Sequence, residues 1–272
     1  MEKSLEFYGQ PVFSRTSTNV QVNILETDID LYWTMALEMH RSIAEGNEQN
    51  QARVFICPVG PVYQYRRLLD LWDVYPLDLA NVHFFFMDEY VDENNEAIPR
   101  DHPLSFRGFI DRELVLPCSG KYGFNPNHVY FPNPAEPREY DTWIADLGGA
   151  DICFAGVGIN GHLAFNEPPS DEHAPSRIVT LTRETITTNS HTALGGAWDI
   201  IPTRAVTVGM KSILQSKKLR LYLNRPWQKA VVRSLLYGPV SRDFPASFVQ
   251  DHPDAKVVMT NEVARSPEFG LR

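Results

Sequence analysis

Residues 151–169 read DICFAGVGINGHLAFNEPP, and the fold class turns on how that stretch is parsed. Asp151–Val157 is a short apolar run that opens into a Gly-rich turn, the pattern of a buried strand rather than of a helix. The turn then delivers Asn160, His162 and Glu167 within eight residues. In an open α/β sheet, the loop beyond the carboxyl end of a parallel strand is where ligands bind. An imidazole and a carboxylate placed there make an acid–base pair that works near neutral pH.

Working outward, strand-like and helix-like patterns alternate. The strands are predicted at Val20–Leu25, Val54–Cys57, Val82–Met87, His128–Phe131, Asp151–Val157, Arg177–Leu181, Leu219–Leu223 and Lys256–Met259. Helices are predicted at Ile29–Ala44, Tyr63–Trp72, Leu104–Leu114, Arg183–Leu194 and Trp227–Leu236. In Ile29–Ala44, Leu31, Met35, Met39 and Ile43 recur every fourth residue, which marks a buried helical face. Such alternation predicts one doubly wound, Rossmann-like α/β domain over residues 1–272, mainly parallel in its sheet and with helices on both faces. Residues 1–20 are expected to be peripheral to it. The Pro-rich Phe131–Pro137 reads as a loop.

The opening segment has other readings. Gly156, Gly158 and Gly161 spell G-x-G-x-x-G, nominally a dinucleotide fingerprint. That motif needs a long helix to aim its N-terminus at pyrophosphate, and Pro168 and Pro169 arrive too soon for one. His162, Glu167, Asp88 and His102 could be gathered around a metal, but no H-x-x-x-H or H-E-x-x-H spacing supports it. Neither cofactor nor metal is therefore expected. Asp88 follows four apolar residues at a predicted strand end. Apolar walls raise a carboxylate's pKa and make it a better base. The bland alternative is an acidic pair that caps a strand. Glu89 would point to the opposite face, so only one of the two can line a pocket.

Composition bounds the rest. The chain has 272 residues, 43% of them hydrophobic, ample for a sizeable core and against disorder. A formal net charge of −9 with no basic block argues against nucleic acid or an anionic membrane as partner. Cys57, Cys118 and Cys153 lack C-x-x-C spacing, so neither a disulfide framework nor a zinc cluster is indicated. The N-terminus has no secretory h-region and no apolar run reaches membrane-spanning length, which makes the cytoplasm the expected location.

Three blocks then carry a resemblance. Gly156–Pro168 fits G-x-G-x-[DN]-G-H-[IL]-[AG]-[FL]-N-E-P, Phe84–Val91 reads FFFMDEYV, and His102–Phe106 reads HPLSF. Weaker echoes lie at Ser176–Ile178, Thr207–Met210 and Gln228–Ala230. With gaps, from about residue 50 onward, the chain resembles the glucosamine-6-phosphate deaminase/isomerase family. The resemblance implies conversion of a 2-amino-2-deoxyhexose 6-phosphate to a ketohexose 6-phosphate and ammonia, without a metal. Asp88 would take the C2 proton, His162 would open the pyranose ring, and Glu167 would hold the imidazole. Asn160 stands where some members have Asp; it still accepts a hydrogen bond.

Two departures fall on the phosphate end. Members carry T-G-G-[ST]-P after the second strand, where this chain has Cys57-Pro58-Val59-Gly60-Pro61-Val62. A later G-x-x-K loop reads Pro226-Trp227-Gln228-Lys229. Gly60, Gly158 and Gly161 remain as loop positions of a substrate site. Arg177 and Lys229 remain as cations, expected to point into one cleft and hold the anion between them. A 6-phosphogluconolactonase-like hydrolase is the enzyme alternative, against which Asn166-Glu167-Pro168 argue. The altered loop motivates a non-catalytic sugar-phosphate sensor. The expected partner is a small sugar phosphate, with a homo-oligomer left open.

Overall fold

The computed structural model describes residues 4–10, 12 and 20–270. The chain opens with α1 (Leu5–Tyr8), β1 (Gln21–Leu25), α2 (Asp28–Gln49), β2 (Arg53–Cys57), α3 (Gln64–Val74), β3 (Val82–Phe86) and β4 (Asp88–Val91). Next, α4 (Phe106–Ile110) runs through a π-helical turn at Asp111–Val115 into α5 (Leu116–Cys118). Then come β5 (Val129–Tyr130), α6 (Pro137–Asp146), β6 (Ile152–Ala155), β7 (Arg177–Thr180) and α7 (Arg183–Ala193). Last are β8 (Arg204–Thr207), α8 (Met210–Leu214), β9 (Lys218–Leu223), α9 (Gln228–Tyr237), β10 (Ala255–Thr260) and α10 (Asn261–Ala264).

Seven strands form a parallel sheet in the order β1, β10, β9, β6, β2, β3, β5. β2, β3 and β6 are buried at every position, as strands covered on both faces must be. Alternate residues divide between two cores. Val54 and Ile56 pack with Tyr140 of α6, Ile213 of α8 and Val231, Val232, Leu235 and Leu236 of α9. Phe55 and Cys57 face the other way, against Leu31, Met35, Met39 and Ile43 of α2 and Leu68 and Trp72 of α3. α2 starts at a capping box in which Thr27 and Asp30 satisfy each other's backbone donors. The described part of residues 1–20 lies on α9: Phe7 is buried, and Arg233 Nε donates to the Gln10 carbonyl at 2.9 Å.

The topology fixes where a ligand can go. From β2 the chain winds to β3 and β5 on one side; from β6, beside β2, it winds to β9 and β10 on the other. The loops after β2 and β6 therefore diverge and leave a crevice between them.

Two features depart from the sequence reading. Asp88 lies outside the main sheet, at the head of a second, antiparallel sheet ordered β4, β8, β7. Met87 N still donates to the Cys57 carbonyl in the main sheet, whereas Met87 O accepts from Val208 N, so the chain changes sheets at that residue. β8, four residues long, is too short to show a period in the sequence, and long-range pairing rather than local pattern creates it. The helix α6 begins right behind the Pro-rich loop, with Pro137 in its first turn, where the missing N–H costs nothing.

Candidate active site

A cleft of about 400 Å³ opens at the carboxyl edge of the large sheet. Pro58–Val62 after β2, Met87 and Asp88 after β3, Gly156–Ile159 and His162 after β6, and Asn224, Arg225, Trp227 and Gln228 after β9 line it. Thr185, Thr188, Asn189 and Thr192 of α7 form a polar wall. Asp88 and His162, 74 residues apart in sequence, thus share one site, together with Gly60 and Gly158.

Gly158 makes room for the imidazole, since a Cβ there would stand 2.0 Å from His162 Nε2. Gly161 turns the loop at φ +86°, and its missing side chain admits the Phe244 ring. It is absent from the cleft lining and serves the turn.

His162 Nδ1 lies 2.8 Å from Asn160 Oδ1 and 3.2 Å from Thr185 Oγ1. Asn160 Nδ2 donates to Glu167 Oε2 at 2.6 Å, and the Thr182 hydroxyl donates to the same oxygen at 3.0 Å. A carboxylate only accepts, so the Asn160 amide must turn its nitrogen to Glu167 and its oxygen to His162. Nδ1 then donates to Asn160, which leaves Nε2, on the side of Gly158, as the nitrogen for proton exchange. Glu167 approaches the imidazole at 3.7 Å, an ion-pair distance, and acts on it through Asn160. Burial alone would raise the Glu167 carboxyl. The imidazole, with the Thr185 hydroxyl and the Asn160 amide, outweighs that and takes it down to about 2. Asn160 and Glu167 lie behind His162 rather than on the cleft surface.

Asp88 and Glu89 part as strand alternation requires. Glu89 is fully buried and accepts from Tyr90 N, Ser105 Oγ, Phe106 N and Arg107 N at 2.9–3.1 Å, which anchors the start of α4. The HPLSF block supplies two of these donors, and its Pro103, Leu104, Ser105 and Phe106 also line the cleft. Asp88 opens on the cleft with no hydrogen bond to its carboxylate among the described residues. Burial, and secondarily the neighbouring Glu89 charge, push its carboxyl up to about 8.

The two expected anion-binding cations do not line the cleft. Arg177 is half-buried and donates to Asn166 Oδ1 (2.8 Å), the Pro175 carbonyl (3.1 Å) and Ser170 Oγ (3.1 Å), so its guanidinium staples the turn after the N-E-P block. Lys229 pairs with Glu262 at 2.5 Å over a separate hollow on the flank. Helical geometry explains this. Gln228 turns into the body of the protein, with Nε2 donating to the Val157 carbonyl at 2.8 Å, and the next residue, a hundred or so degrees around α9, faces outward.

Arg225, which the sequence reading did not single out, also lines the cleft. It follows the apolar run Leu219–Leu223, so the strand-end rule that singled out Asp88 and His162 would have found it. Thr185 gave no such signal, because its meeting with His162 spans 23 residues of chain. Among the described residues no group of three His, Cys, Asp or Glu is arranged to hold a metal ion, and no helix is long and apolar enough to cross a membrane.

No family model matches the chain. Individual proteins do. It is 34% identical over 204 residues to the glucosamine-6-phosphate deaminase of Lachnoclostridium phytofermentans, across 73% of this chain and 82% of that one. It is 32% identical over 211 residues to the enzyme of that name from Mycolicibacterium smegmatis, across 75% and 77%. A solved structure of a monomeric glucosamine-6-phosphate deaminase superposes with a TM-score of 0.79 at 29% identity, covering 89% of this chain and 98% of that one. The 6-phosphogluconolactonase of Trypanosoma cruzi superposes at 0.69 over 93% and 98%, but at 16% identity it shares the fold alone.

Proposed function

The chain belongs to the glucosamine-6-phosphate deaminase family, and from that premise we propose that it isomerises and deaminates a 2-amino-2-deoxyhexose 6-phosphate, releasing a ketohexose 6-phosphate and ammonia. The observation that supports this most is the pair Asp88 and His162 on one cleft, the carboxyl raised by burial and the imidazole oriented by Asn160. His162 Nε2 takes the proton of the C1 hydroxyl and passes it to the ring oxygen, which opens the pyranose. Asp88 then removes the C2 proton and returns it to C1 through an enolamine. The resulting C2 imine adds water and expels ammonia. The Asn160–Glu167 relay stabilises the imidazolium formed during ring opening.

An unperturbed carboxylate near 4 would be a feeble base for a carbon acid, whereas one raised toward the working pH transfers protons efficiently. Ammonia release from glucosamine 6-phosphate and from galactosamine 6-phosphate tests the reading and fixes the C4 stereochemistry. Turnover of at least one, with solvent deuterium entering the sugar, is the expected result. Absence of ammonia from both would overturn it.

A further inference from the structure

We propose that the phosphate of the substrate is held by Arg225, together with the backbone N–H groups of Val59 and Gly60, in place of Arg177 and Lys229. The inference rests on the sugar-phosphate reading of the cleft. Arg225 is the only Lys or Arg among the described residues lining it. Its side chain is exposed, and no hydrogen bond or ion pair engages its guanidinium among the described residues. The Arg177 guanidinium is held by Asn166, Pro175 and Ser170, and Lys229 is paired with Glu262.

The loop across the cleft is built to complement it. The Tyr65 hydroxyl donates to the Pro58 carbonyl, and Gln64 Nε2 donates to the Val59 carbonyl at 3.2 Å. Both donors sit at the start of α3, so these two carbonyls are drawn toward that helix. In a planar trans peptide the N–H lies opposite its C=O, so the N–H groups of Val59 and Gly60 face away from α3. Neither has a backbone partner, and both residues line the cleft. Pro58 and Pro61 contribute no donor, which leaves a two-amide cradle needing a cation to complete it. The C-terminal neighbours reinforce the placement: Gln228 Oε1 accepts from Arg225 N at 2.8 Å and fixes the loop that carries the guanidinium.

Sheet order supplies the spacing. Arg225 follows β9 and Asp88 follows β3, with β6 and β2 between them. Three inter-strand steps make about 14 Å between the two backbones. Arg225 lines the same cleft as Asp88, and a hexose 6-phosphate would lie across it with C2 at Asp88 and the phosphorus at Arg225.

The experiment measures kcat and KM on glucosamine 6-phosphate, and binding of inorganic phosphate by calorimetry, for wild type, Arg225→Gln, Arg225→Lys and Lys229→Ala. Arg225→Gln should raise KM and lower kcat/KM by about tenfold to a hundredfold, the loss of one charge-assisted contact, and should abolish phosphate binding. Arg225→Lys should recover part of both, because charge persists while the bidentate fork does not. Lys229→Ala should leave KM and phosphate binding within about twofold of wild type. An unchanged KM and phosphate affinity in Arg225→Gln, or a loss carried by Lys229→Ala, overturns the assignment while leaving the deaminase reading intact. A wild type without ammonia release overturns the deaminase reading, and phosphate calorimetry on Arg225→Gln still decides the anion site.

Discussion

Replacing Asp88 by Asn should cost activity and return stability, and the return should grow with pH. The carboxyl rises from its ordinary 3.8 to about 8 because folding buries it beside Glu89. A folded-state pKa above the unfolded one means that the proton is held more tightly in the native protein. The stability contributed by that proton is complete below about pH 4 and is lost as pH climbs through about 8. Each pH unit in that window costs wild type roughly 1.4 kcal/mol, so the full interval approaches about 5 kcal/mol as an upper bound. The isosteric amide at position 88 does not ionise and escapes this penalty. Urea unfolding of both proteins at pH 5, 6, 7 and 8 reads the effect of the Asp88–Glu89 pair, because titrations not coupled to position 88 cancel in the difference. The variant should gain on wild type steadily, by a few kcal/mol at pH 8, while kcat falls about a hundredfold to ten-thousandfold. In wild type, kcat/KM should rise with pH and level off near 8. At pH 6 roughly one molecule in a hundred carries the base form. A stability difference that stays flat from pH 5 to 8 would refute the claim that Asp88 is a desolvated acid awaiting substrate.

The remaining outcomes concern the imidazole and its support. His162→Gln should lose ring opening, so steady-state turnover of the cyclic sugar should fall about a hundredfold or more, whereas an open-chain analogue should be spared. Gly158→Ala puts a methyl group 2.0 Å from His162 Nε2, so activity should collapse with far-UV circular dichroism unchanged; full activity would mean that the ring is free to stand elsewhere. Asn160→Leu breaks the contact to Nδ1 and strips Glu167 of a donor, which should destabilise the fold by about 1–3 kcal/mol in urea titration and reduce kcat more than it raises KM.

The sequence by itself determined the frame. The apolar runs at Val54–Cys57, Val82–Met87 and Asp151–Val157 are solvent-incompatible on both faces, and the four-residue spacing of Leu31, Met35, Met39 and Ile43 admits only a helix packed on them. Strand-end position then nominated Asp88 and His162, since residues just past buried parallel strands reach a cleft whatever the details. Three things came from tertiary structure alone. The antiparallel β4–β8–β7 sheet exists because chain segments 88–91, 177–180 and 204–207 find one another, and no local period records such pairing. The split between Asp88 and Glu89 was legible as alternation, but which of them faces the cleft depended on Ser105, Phe106 and Arg107 arriving to absorb Glu89. The partners of the charged side chains were likewise set by the fold. An Arg or Lys in a sequence has no partner until the fold supplies one, and here the fold gave Arg177 to Asn166 and Ser170 and Lys229 to Glu262, leaving Arg225 facing the cleft.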